Sequence, residues 1–306
     1  LELERPMDFP VWLICALISP FFWAIVHVFD SYCVNEVFDR PWIGIVTSGF
    51  TTLLVLPLFA IGLLFSEFVP VSMGALALCL ICGAAFMVSQ AFYFQALAIS
   101  ESGIVAAYWN FIPVILPFTS YFIFSEILTP WQYTGMAVLV SSSVAFCLLD
   151  GNLESRWTSF WLMFFGALLQ VVYFQVQKIV FDYMPVYQAF CIIGLAMGVT
   201  GIAPLFMTRP RAVFRQNWQK IRPSLQVLAV IEVANLVAIG TSQLAVDFGR
   251  PSLVSAVEAS IPAYTFSLSF FLYVITRTPG EEEAKENYPI KIALVGVMIA
   301  GVYLVS

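Results

Sequence analysis

The chain reads as an all-α integral membrane protein of ten transmembrane helices, arranged as two inverted five-helix repeats. Three observations predict this. Hydrophobic residues make up 61% of the 306 residues and charged ones 10%, against about 25% charged in soluble domains. A soluble fold of this size cannot bury that much apolar surface, so the surrounding solvent must be lipid. The mean hydropathy, +0.92, agrees. Secondly, runs without a charge, each near the roughly 20 residues that cross a bilayer, recur along the whole sequence. Thirdly, one hairpin occurs twice. Its first copy, Ala91–Tyr121, contains AFYFQALAISESGIVAAYWNFIPVILPF, and its second, Ile239–Phe270, contains IGTSQLAVDFGRPSLVSAVEASIPAYTFSLSF. With Pro113 set on Pro262 the copies align without a gap. Ala96 then meets Ala245, Val105 meets Val254, and Ile112 meets Ile261. Each copy is an apolar run, a short polar break, and a second apolar run containing proline. A repeat near half the chain length in a membrane protein points to a transporter.

The elements follow in order. Residues 1–10 are a polar tail lacking the basic start of a signal peptide, with Met7 a candidate start. The first repeat, 11–149, holds five spans: Val11–Phe29, Pro41–Ser66, a third beginning near Met73 and ending by Ser100, Ser102–Ser125, and Ile127–Leu149. A polar linker, 150–156, separates the halves. The second repeat, 157–306, holds Trp157–Gln177, Tyr183–Thr208, Ser224–Val246, Pro251–Thr276 and Ile290–Ser306. Because five is odd, the second half meets the membrane the other way up, which defines an inverted repeat. Most connections are short. Two are longer: the basic loop Arg209–Arg222 and the segment Arg277–Lys291, whose GEEEAKEN stretch has no counterpart in the first half.

Composition also bounds the function. The net charge of −6 argues against nucleic acid, which calls for clustered Lys and Arg. A single histidine makes a zinc site improbable, and no metal or other cofactor is expected. The six cysteines lie mostly inside apolar runs and read as small apolar filler. No GxxxxGK[ST] loop is present, so transport would draw on a gradient or an exchange. The expected partners are the lipid bilayer and a small-molecule substrate, and the expected location is the plasma (inner) membrane of a prokaryote.

Polar groups inside a span are costly, about 2.5–3.5 kcal/mol for a charge at mid-bilayer on insertion scales. They therefore mark candidate site residues. In the first span His27 and Asp30 share a face, with Trp23 one turn earlier. The alternative for Asp30 is a position at the helix end, in headgroup water. Tyr93 follows in the third span. Tyr108, Trp109 and Asn110 lie midway along the fourth. The sixth span carries Tyr173 and Gln177, with Lys178 beside them. The alternative for Lys178 is a snorkelling position at the surface. Glu232 and Asn235 are spaced to share a face of the eighth span. Glu258 lies four residues before Pro262 in the ninth and takes the place of Trp109 in the repeat alignment. Pro113 and Pro262 are candidate hinges, since proline removes a backbone donor. The interior is net acidic. Asp30, Glu232 and Glu258 could exchange protons or pair with a cationic substrate, which the aromatic rings would also suit. The sequence does not choose between these uses.

Three stretches carry a resemblance: the opening WAIVHVFDSY, the segment ALAISESGIVAAYWNFIPVILPFTSYFIFSEILTPWQYTG, and EVANLVAIGTSQLAVDFGRPSLVSAVEASIP. Over nearly the whole chain the pattern resembles the drug/metabolite transporter superfamily, in its EamA-like branch of ten-helix carriers. Pro113 and Glu126 match that family's first-half pattern. In the second half Ile275 stands where Glu126 would align, so the second signature is incomplete. The resemblance implies a central cavity, alternating access, and both termini in the cytoplasm. The charge count disagrees on orientation. Arg5, Lys178 and Arg250 fall on the amino-terminal side, and the other ten of the 13 Lys and Arg on the opposite side, which the positive-inside rule would place in the cytoplasm. The expected function is secondary active transport of a small metabolite, cationic or zwitterionic, with proton coupling in view. The alternative is a lipid flippase of the same fold. An enzyme is not expected, because His27 stands in no HExxH or serine-partnered motif.

Overall fold

The computed structural model describes residues 10–52, 54–65, 68–100, 102–149, 157–276 and 288–306. The amino-terminal tail up to residue 9, the linker 150–156 and residues 277–287 with the whole GEEEAKEN stretch lie outside the described residues. All regular structure among the described residues is helical. The helices are α1 Val11–Tyr32, α2 Ile43–Thr52, α3 Val55–Phe65, α4 Met73–Leu97, α5 Ser102–Tyr108, α6 Phe111–Phe124 and α7 Pro130–Leu149. They continue with α8 Trp157–Phe181, α9 Val186–Ile202, α10 Thr208–Ile221, α11 Leu225–Phe248, α12 Pro251–Glu258, α13 Ile261–Thr276 and α14 Tyr288–Val305. Among the described residues eight helical stretches are long and apolar enough to cross a membrane. In lipid, helices satisfy their own backbone groups, which is why a chain this apolar adopts them throughout.

Several expectations are corrected. The first span runs on through a widened turn, Cys33–Val37, in which Phe38 N–H donates to the Cys33 carbonyl at 2.8 Å. Asp30 therefore sits within the helix and is buried, not at its end. The basic stretch Arg209–Arg222 is not a loop: it forms α10. The two proline-bearing spans are each divided into two helices. Asn110 N–H bonds the Ala107 carbonyl at 3.2 Å in the first break, and Ala259 N–H bonds the Ala256 carbonyl at 3.2 Å in the second. Pro113 and Pro262 accordingly do not kink a continuous helix. Each lies in the first turn of the second segment, where a missing N–H leaves no bond unmade.

Packing centres on α4 and α1. Helix α4 lies against α8 and α9, and α1 lies against α11, α12 and α13. Glycine permits the closest crossings. A Cβ on Gly201 would meet Gly49 Cα at 2.5 Å, so α2 and α9 touch backbone to backbone. A Cβ on Gly83 would meet the Ala196 Cβ at 2.6 Å, which brings α4 onto α9. Such contacts give close van der Waals packing where lipid removes any hydrophobic drive for helices to associate. Trp157 and Trp161 on α8 are exposed and pack against Phe160 and Phe164, and exposed tryptophans are expected at a membrane interface.

Candidate functional site

The two helix breaks face a common chamber. Its walls include Trp23, His27 and Asp30 from α1, and Phe86, Gln90 and Tyr93 from α4. The first break contributes Trp109 and Asn110 with Pro113 behind them, and the second contributes Glu258 and Ala259 with Pro262. Tyr173 closes the chamber from α8, and Ser242 from α11. The volume open to water centres is about 90 Å³, where one water needs roughly 10–15 Å³.

The polar groups are held from their neighbours. Ser19 Oγ donates to Glu258 Oε1 at 3.0 Å. His27 Nδ1 and the Tyr93 hydroxyl are 2.8 Å apart. Asn110 Nδ2 donates to Ser143 Oγ at 3.0 Å and to the Ala107 carbonyl at 3.0 Å, which secures the first break. Gln243 Nε2 donates to the Tyr173 hydroxyl at 3.2 Å. Aromatic rings run around these groups. Tyr93 and Trp109 have centroids 5.7 Å apart, Phe86 and Tyr173 5.1 Å, and Trp23 and Phe86 6.2 Å. The chamber thus joins two carboxylates, Asp30 and Glu258, to π faces, an arrangement that can hold an ammonium group by charge and by cation–π attraction together.

Not every candidate residue is there. Glu232 and Asn235 line a smaller adjoining pocket of about 30 Å³, which shares Val26, Asp30, Phe86, Gln90 and Ile239 with the chamber. Asn235 Nδ2 donates to Glu232 Oε2 at 3.2 Å. Tyr108 turns away and stacks on Phe111, with centroids 5.9 Å apart. Gln177 is fully buried outside the chamber walls, and neither atom of its amide has a hydrogen-bond partner among the described residues. Lys178 neither lines the chamber nor snorkels. Its ammonium donates to the carbonyls of Val246, Asp247 and Gly249 at 2.7, 2.9 and 3.2 Å, capping the negative end of α11. Ser19, Ser143 and Ser242 are wall or support residues that sequence reasoning missed. Serines are common inside membrane helices, and nothing in their spacing singles these out.

Glu126 lies outside the chamber, in the turn between α6 and α7. Burial pushes its carboxyl up, and the nearby Ser252 and Ser120 hydroxyls and the Arg250 and Lys178 charges oppose that shift.

An all-helical, multi-pass membrane protein with a chamber of aromatic rings and a few polar groups between its helices is the class that this fold and site define. Residues 10–148 match the model of the EamA-like transporter family. That family is part of the drug/metabolite transporter superfamily. No curated protein sequence matches the chain significantly. Among solved structures, 28 chains match its fold. One, described as the crystal structure of a protein, aligns over 98% of both chains with a TM-score of 0.66 and 12% identity. At that identity the likeness concerns the fold alone.

Proposed function

We propose that this chain is a secondary transporter that moves a small cationic or zwitterionic metabolite by alternating access, with proton exchange as the coupling reaction. One observation carries the reading: both helix breaks meet at a single chamber whose walls hold two carboxylates among aromatic rings. Breaks of this kind turn backbone groups toward a cavity and suit ion and substrate sites. Glu258 and Asp30 would supply charge to the substrate, Asn110 orientation, and Trp109, Tyr93 and Tyr173 the π faces. Glu232, joined to the chamber through the smaller pocket, would load the coupling proton.

The packing supports two inverted five-helix halves. If the halves exchange, α1 takes the place of α8 and α4 that of α11. The contact of α1 with α11 then becomes that of α8 with α4, and both are extensive. The contact of α1 with α13 becomes that of α8 with α6, also present. The contacts of α2 with α9 and α7 with α14 map onto themselves. This is the pattern a two-fold axis between the halves produces. With five spans in each half, such an axis lies in the membrane plane, and rocking about it would open the chamber to each side in turn.

The test is reconstitution in liposomes after a thermal-shift screen of amines, amino acids, sugars and nucleotides. A positively charged or zwitterionic compound should stabilise the protein and be taken up faster across an imposed pH gradient. The combined variant Asp30→Asn, Glu232→Gln, Glu258→Gln should abolish that uptake. Uptake indifferent to all three changes would sink the reading.

A further inference from the structure

Helix α10 is set apart from every other helix by its charge. Its sequence, TRPRAVFRQNWQKI, carries four basic residues and no acidic one, and Arg222 follows directly at its end. At 100° per residue, Arg211, Arg215 and Arg222 fall within one stripe about 40° wide. All three are exposed. Trp218, also exposed, borders that stripe.

The opposite side is docked. Phe214 lies 6.0 Å from the Phe50 ring of α2, and Ile221 is buried. Asn217 Nδ2 donates to the Val37 carbonyl at 3.2 Å and to Asp39 Oδ2 at 2.8 Å. Lys220 Nζ lies 2.6 Å from Asp39 Oδ1. Asp39 is therefore committed to Asn217 and Lys220. Among the described residues no ion pair reaches Arg211, Arg215 or Arg222. Arg211 donates its Nε to the Leu205 carbonyl at 2.7 Å. Arg211 and Arg215 are four apart on one face, where like charges repel. The first turn of α10 has no acidic residue and no side-chain cap, so the positive end of the helix dipole adds to the same charge. Immediately before it, Phe206 and Met207 are exposed at the end of the α9 span.

We propose that α10 lies flat on the membrane and that the stripe Arg211–Arg215–Arg222 is a binding site for anionic phospholipid headgroups. Phe206, Met207 and Trp218 dip into the acyl boundary beside it. A docked amphipathic helix with a basic outer face and apolar anchors is the arrangement that surface-bound helices use, and phosphate diesters are the anions a bilayer presents at that depth. The docking through Asn217 and Lys220 holds the stripe at a fixed place over the turn that links α1 to α2.

The experiment is native mass spectrometry of the full chain released from detergent after incubation with equimolar phosphatidylglycerol and phosphatidylcholine. The wild type should retain phosphatidylglycerol in preference. Each basic residue near an anionic surface contributes about fivefold to partitioning, so R211Q/R215Q/R222Q should lower that retention by at least about tenfold and leave phosphatidylcholine unchanged. R211K/R215K/R222K, which keeps the charge, should retain the preference. Added inorganic phosphate should not displace the lipid. Equal retention of phosphatidylglycerol in the wild type and the glutamine variant overturns the proposal. So does a lysine variant that falls as far as the glutamine one, since charge would then not be the cause, and so does displacement by inorganic phosphate.

Discussion

Ser19 and Glu258 are 239 positions apart in sequence, yet the Ser19 hydroxyl donates to Glu258 Oε1 at 3.0 Å. The bond ties the first helix of one half to the end of α12, beside the helix break of the other. It holds the carboxylate in one orientation at the chamber wall. Removing it by Ser19→Ala should cost about 1.5–3 kcal/mol, the range for a hydrogen bond to a charged group. Thermal unfolding in detergent reads the loss, and an unchanged midpoint would show that water replaces the hydroxyl.

Tyr93→Phe tests the other tie across the chamber. It deletes the hydroxyl that lies 2.8 Å from His27 Nδ1 and keeps the ring packed near Trp109. An unsatisfied buried polar group costs about 1–3 kcal/mol. The midpoint should fall accordingly, while Tyr108→Phe, outside the chamber, should leave substrate-induced stabilisation intact.

Gln177→Met separates a structural residue from a substrate-binding one. Both amide atoms of Gln177 lack a partner among the described residues, so an apolar side chain of similar volume should stabilise the protein by about 1–2 kcal/mol. Uptake should persist. A loss of uptake with retained folding would return Gln177 to the binding site.

Gly201→Ala tests the backbone contact between α2 and α9. The added methyl would meet Gly49 Cα at 2.5 Å, and the backbones must part to admit it. Overpacking of this kind costs about 1–3 kcal/mol. Gly296→Ala is the control, because a Cβ there meets nothing within 4 Å. Its midpoint should stay in place.

The Asp39–Lys220 contact sets a pH dependence outside the membrane. The hydrogen bond from Lys220 holds the Asp39 carboxyl below the usual carboxylate range, with Asn217 and Arg40 adding to the effect. A depressed value means the contact stabilises the docked α10 above the usual carboxylate range and is lost as pH falls through the lowered value. Acidification should release α10 in the wild type, followed as increased hydrogen exchange across residues 208–221. In Asp39→Asn the exchange should already be raised at neutral pH and change little on acidification.

Much of this molecule was legible one residue at a time. Apolar runs place α4 to begin near Met73, and the run interrupted by Glu258 brackets α12 and α13 between Pro251 and Thr276. Helical spacing puts Trp23, His27 and Asp30 on one face, and they do line one chamber. What the sequence left unread is the break just before each proline, because a pattern of apolar residues does not reveal a turn such as the one at Asn110, whose amide bonds to Ser143 on another helix.

Composition and spacing by themselves determined the solvent, the helices and the positions where a buried carboxylate needs a partner, because desolvation and helical period are local properties. Tertiary structure alone decided which of those groups meet. Tyr108 and Trp109 are neighbours, but Tyr108 ends α5 while Trp109 lies in the break that follows, and packing chose Trp109 for the chamber. Gln177 shares a face with Tyr173 yet lies about 6 Å further along the axis, beyond the wall that Tyr173 forms. Lys178 went to the end of α11 because three backbone carbonyls converge there, and no stretch of sequence announces where the end of another helix will stand.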